Sequence, residues 1–173
     1  MYIYVFVLFW ILINIIYFIQ ERNEKFKTNR SSVIRYLIIN ILCGYSIPTA
    51  MASIYVFGAT VNGFEVFNYW ILIVVAMFLS WLGLHLILCN EFEIVQNTNG
   101  NLSKIIGVAL KILAIGILIY LKVVVPSTQD ENKFIWLSII PIIAIDVFLG
   151  RSYFNYALFC NEEKEVNSSS LKE

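Results

Sequence analysis

His85 and Cys89 stand four residues apart, so on a helix they share one face, where imidazole and thiol could form a thiolate dyad for nucleophilic catalysis. Glu91 and Glu93 follow at once, and a histidine with two carboxylates can hold a divalent cation. Neither pattern is completed. The chain shows none of the glycine and histidine pattern that surrounds such a pair in membrane peptide-processing cysteine proteases, and its single histidine excludes any site that needs two. The three cysteines form no CxxC and no metal-ligand spacing. There is no serine-nucleophile motif, phosphate loop or paired-carboxylate transferase signature. The expectation is a protein without catalytic activity, cofactor or metal, in which His85 and Cys89 are placed for structure and Glu91 and Glu93 are solvated.

A second set of residues matters because of where it lies. Asp146 falls inside "PIIAIDVFLGRSYF", and Lys111 inside "GVALKILAIGILIYL", both apolar runs. Counted along a helix from Phe134, Asp146 is about 18 Å in, and Lys111 is about 10 Å from Lys104. On spanning helices of opposite direction these depths coincide. A lone Asp or Lys at such a depth costs about 2.5 to 3.5 kcal/mol, and pairing is the usual remedy. The spacing therefore predicts an Asp146–Lys111 ion pair, on helices whose short connection makes them antiparallel neighbours. Arg151 is the competing partner, but five residues along a helix rotate it about 140° from Asp146. Arg151 and Arg35 are expected as anchors at the membrane boundary. Asn14, Asn40 and His85 fall at similar depth, so every helix contributes a polar side chain to one layer. Lys104, Lys111 and Lys122 also share a helix face, a stripe that could line an anion path; the simpler expectation is that the outer two mark helix ends.

The elements that must position these residues follow from composition. Of 173 residues 60% are hydrophobic, 16% aromatic and only 14% charged, more apolar surface than one soluble core can hide. Twelve basic and twelve acidic residues cancel, giving no field for nucleic acid. Five apolar segments have spanning length: Tyr2 to Gln20, Val33 to Phe57, Phe67 to Cys89, Lys104 to Val125 and Phe134 to about Tyr156. The fold class is thus an all-α integral membrane protein, a bundle of five transmembrane helices in one domain over residues 1–160. Residues 161–173 have the composition of a polar, disordered tail. The first segment lacks a basic leader and a small-residue cleavage site, so it is expected to be retained.

Arg22, Lys25, Lys27, Arg30 and Arg35 crowd the first connection, whereas the second has no basic residue. The positive-inside rule then places the N-terminus outside and the C-terminus in the cytoplasm; richness in Ile, Asn, Lys, Phe and Tyr, the mark of an AT-rich genome, points to a bacterial cytoplasmic membrane. Three Asn-X-Ser sequons, at Asn29, Asn101 and Asn167, fall on the inner side and carry no weight. Pro48 and Pro141 are expected to bend their helices. Small residues in "CGYSIPTAMAS" allow a close neighbour, and Tyr17, Tyr36, Tyr153 and Tyr156 read as an inner aromatic belt.

Lacking catalytic motif, soluble domain and internal repeat, the chain is expected to act by contact with another membrane component. That makes it an accessory subunit of a transport or secretion complex or an immunity protein against a pore-forming toxin. Its partners are the lipid bilayer and another membrane protein or further copies of itself. One alternative is a channel or carrier for a small solute or ion that uses the Asp146–Lys111 pair; another is an intramembrane cysteine-dependent enzyme.

Overall fold

The computed structural model describes residues 2–22, 30–63, 65, 67–94, 100–125 and 132–170. Lys25, Lys27 and Asn29 of the basic connection, and residues 171–173 of the expected tail, lie outside them. Every element described is helical: α1 (Tyr2–Arg22), α2 (Arg30–Gly58), α3 (Phe67–Glu91), α4 (Gly100–Val124) and α5 (Asn132–Ser170), with a 3-10 turn, Ala59–Asn62, after α2. Four stretches are long and apolar enough to cross a membrane: Ser31–Gly58, Phe67–Glu91, Gly100–Val124 and Lys133–Glu162. In α1 the comparable stretch, Leu8–Gln20, is shorter.

The helices pack as two close pairs, α3 with α4 and α2 with α5, joined where α2 meets α3. α1 lies against α2 at the edge. α4 and α5, expected as packed neighbours, touch only a little. Their short connection fixes which ends are close but not which faces meet.

The α3–α4 pair is tight because glycine faces glycine. A Cβ on Gly83 would lie 2.5 Å from the Gly107 carbonyl oxygen, and one on Gly107 would lie 2.7 Å from that of Gly83. Only two side-chain-free positions allow backbones this close, the small-residue packing usual where lipid supplies no hydrophobic drive between helices. Ala52, Tyr55, Val56, Ile73, Ala76, Leu118, Leu121, Ile142 and Leu149 fill the core between the pairs. Leucines and isoleucines on the outer faces of α1, α4 and α5 are left exposed, as Ile105, Ile112 and Ile140 are at 66%, 66% and 63%. A water-soluble fold would bury such side chains.

Helix ends follow local chemistry. Gly63, at φ 80°, closes the 3-10 turn through its N–H to the Thr60 carbonyl (3.0 Å). α3 ends in a Schellman motif: Ile94 N–H donates to the Cys89 carbonyl (3.0 Å) and Glu93 N–H to that of Asn90 (3.4 Å). Glu93 takes the left-handed position, φ 52°, that glycine usually occupies. The end of α4 is capped from α2, where the buried Tyr55 hydroxyl donates to the carbonyls of Lys122 and Val125 (3.2 Å each). α2 and α5 both run on through their prolines, Pro48 and Pro141.

α5 continues past the expected end near Tyr156 and through most of the stretch expected as a disordered tail, to Ser170. No glycine or proline occurs between Arg151 and Ser170, so nothing local stops it. At 39 residues it is about 58 Å long, nearly twice a hydrocarbon core.

Candidate functional site

The residues singled out by depth are gathered around α5. Lys111 Nζ forms an ion pair with Asp146 Oδ1, the side chains being 14% and 30% exposed. The Lys111 stem crosses Gly83 on the way: a Cβ on that glycine would come 2.9 Å from Lys111 Cγ. Thus α4 reaches α5 over α3, through a side chain long enough to bridge helices that barely pack. Arg151 stays exposed on α5, and Asp146 takes Lys111 instead.

One turn or two further along α5, Ser152 and Tyr153 are buried and take the next pair of predicted residues. Asn40 Nδ2 donates to Ser152 Oγ at 2.7 Å. His85 Nδ1 shares a hydrogen bond of 2.9 Å with the Tyr153 hydroxyl. Tyr153 is fully buried, not part of an interfacial belt. The long α5 explains the difference: a residue that reads as near a helix end when the helix stops at Tyr156 is in mid-helix when it runs to Ser170. Tyr36 is likewise buried.

Asn14 is apart from this group. It donates to the Trp10 carbonyl of its own helix (2.7 Å) and accepts from the Cys43 thiol of α2 (3.3 Å). It borders a groove of about 340 Å³ between α1, α2 and α5 with Tyr17, Gly44, Pro141 and Phe148. Arg35 is exposed and edges a smaller hollow between α1 and α2 with Gln20. The predicted layer is therefore two sets, one at α1–α2 and one at α2–α3–α4–α5.

The lysine stripe is dissolved into three separate contacts. Lys104 pairs with Glu91 at the end of α3 (2.5 Å), Lys111 with Asp146, and Lys122 lies 5.0 Å over the Trp136 ring of α5. Glu91 is thereby engaged by Lys104, and Glu93 serves the helix end. Among the described residues no cluster of three His, Cys, Asp or Glu could hold a metal.

His85 and Cys89 do meet, through the thiol and both ring nitrogens. The sulfur is 3.6 Å from Nδ1 and 3.6 Å from Nε2. Equidistance puts it off the in-plane lone-pair direction of either nitrogen, and Nδ1 is already engaged by Tyr153. Trp81 flanks the imidazole at 5.6 Å between ring centroids. The arrangement is a packed aromatic and polar cluster inside the bundle.

Sequence reasoning passed over Ser152, Gly83 and the Tyr45–Ser80 hydroxyl pair (3.3 Å), and misassigned Tyr153 to the boundary. The one available signal was glycine in the otherwise apolar α3, a mark of close helix approach.

Long apolar helices, glycine-mediated packing and polar groups turned inward are consistent with a helical membrane bundle. The chain matches over residues 1–169 the family described as Domain of unknown function (DUF5079), and it belongs to that family. No curated protein and no solved structure is similar to it.

Proposed function

We propose that this chain is a five-span integral membrane protein without catalysis that acts by contact with another membrane component. On this reading α1 is the fifth span, the basic connection after it is cytoplasmic, and the N-terminus is outside. The partner would be a transport or secretion complex that it serves as accessory subunit, or a pore-forming toxin that it neutralises.

The observation that carries the reading is the dispersal of the lysine stripe. An anion path needs Lys104, Lys111 and Lys122 facing one passage, whereas each is held by a different neighbour. Asn40 and His85 are likewise engaged within the bundle. What is left to act is the outer surface.

A carrier is the second reading, favoured by the partial exposure of Asp146, since an accessible intramembrane carboxylate can load and release a cation or proton. Purified chain in sealed liposomes separates the two. The contact protein moves no proton, potassium, sodium or chloride above empty-liposome background under an imposed gradient. A flux that Asp146→Asn abolishes would establish the carrier.

A further inference from the structure

We propose that the seam between the two helix pairs binds ordered water at one end only, where α3 finishes and α4 begins, and that the spare amide end of Asn40 holds it there while the far end of the seam is dry.

Two hydrogen bonds fix which residues share a level. Trp70 Nε1 donates to Ser53 Oγ (3.2 Å), and the Tyr45 and Ser80 hydroxyls share a bond of 3.3 Å. These set α2 and α3 antiparallel in a register that puts Asn40 opposite Leu84 and His85, one turn from Trp81. On α5 the same level is occupied by Ser152 and Tyr153, which Asn40 and His85 reach. Three helices therefore bring Asn40, Trp81, His85, Ser152 and Tyr153 to one junction.

That junction is not satisfied from within. Asn40 is 1% exposed, and its amide can bond at both ends, yet only one end has a partner, Ser152. Oδ1 has none among the described residues, and turning the amide over would strand the nitrogen instead. Trp81 Nε1 is buried without a partner as well: the indole stands beside Tyr153 but closes no hydrogen bond with it. An acceptor and a donor are thus left over at one level on facing helices, and they do not bond each other. A buried amide end left unmet is costly, and an ordered water relieves it for a small loss of entropy. Both leftover groups are neutral, so an ion has nothing to hold it, and water can accept from the indole and donate to the amide at once. The Tyr153 hydroxyl oxygen can supply the third partner usual for a buried water.

The far end of the seam differs. Ala52, Ile73, Ala76, Met77, Leu118 and Ile142 fill it, and among the described residues no buried side-chain polar atom there lacks a partner.

The test is radiolytic hydroxyl-radical footprinting of the full-length chain in lipid nanodiscs, with oxidation rates read residue by residue by mass spectrometry. Radicals arise from the water itself, so a buried side chain that touches bound water is oxidised directly, and a dry one only through local opening of the fold. Tyr153, fully buried, and Trp81 should oxidise about tenfold or more faster than Met77, which is 5% exposed and belongs to a residue type more reactive than tyrosine toward this radical. Asn40→Leu, which keeps the volume and removes the amide, should bring both down to the Met77 rate. Tyr153 and Trp81 as slow as Met77 in the unaltered chain would mean a dry junction and overturn the proposal. Met77 as fast as they are would overturn it in favour of water along the whole seam, the path a carrier needs. Fast rates that Asn40→Leu leaves unchanged overturn Asn40 as the holder. Thermal unfolding in detergent checks the variant; should it not fold, Tyr153 against Met77 in the unaltered chain still decides between a wet and a dry junction.

Discussion

The aliphatic stem of Lys111 runs across the bare Cα of Gly83, so one glycine provides both the close approach of α3 to α4 and the passage for the ion pair to α5. A methyl group there would meet a backbone oxygen as well as the lysine. Gly83→Ala should therefore lower stability by about 1 to 3 kcal/mol, the usual range for overpacking. Gly44→Ala, where the new Cβ would sit 3.4 Å from Ile145 Cγ2, should cost much less. Thermal unfolding in one detergent orders the two, and equal losses would contradict the geometry.

Lys111 and Asp146 should behave as a unit. Asp146→Asn and Lys111→Met each strand one charge and should each destabilise the chain. The double variant should recover much of the loss, with a coupling on the order of 1 to 3 kcal/mol. Simple addition in the thermodynamic cycle would mean that the contact contributes nothing.

The orientation is open to chemical labelling. In intact cells, with the native cysteines replaced, Thr60→Cys beyond α2 should react with an impermeant thiol reagent, and Arg22→Cys at the end of α1 should not. The reverse pattern would invert the topology.

Glu93 occupies a backbone conformation that favours glycine. Glu93→Gly should relieve that strain and raise stability by up to about 1 kcal/mol, seen as a higher unfolding midpoint. A fall would mean that the glutamate side chain contributes more than its backbone costs.

The cysteine-enzyme alternative makes an opposite forecast for two variants. If the cluster is structural, Cys89→Ser leaves complex formation intact, while Tyr153→Phe, which removes the hydrogen bond to His85, costs about 1 kcal/mol of stability. Loss of function with unchanged stability in Cys89→Ser would revive the enzyme.

The ion pair was legible in the sequence because buried charge is costly enough that two opposite charges at one depth specify each other. Asn40 and His85 were legible as positions but not as contacts. Their partners, Ser152 and Tyr153, carry no charge, and hydroxyl side chains are too common in apolar helices to be singled out. Tyr153 was further obscured by the length of α5, since an aromatic near a supposed helix end reads as a boundary residue. Helix adjacency was the least legible part. The connection between α4 and α5 is short, yet α5 packs along α2 because side-chain shape along the helix, not loop length, selects the face. Gly83 and Gly107 illustrate that selection: two unremarkable residues in sequence, 24 apart, whose meaning appears only when their backbones touch.

The pairing of the second helix with the last has a consequence for how the chain is made. α2, α3 and α4 carry Asn40, His85 and Lys111, and the groups that bond to all three, Ser152, Tyr153 and Asp146, arrive together on α5. Until synthesis nears its end, three earlier helices lack the polar contacts that this last one brings. Completion of the final helix supplies all three in one step.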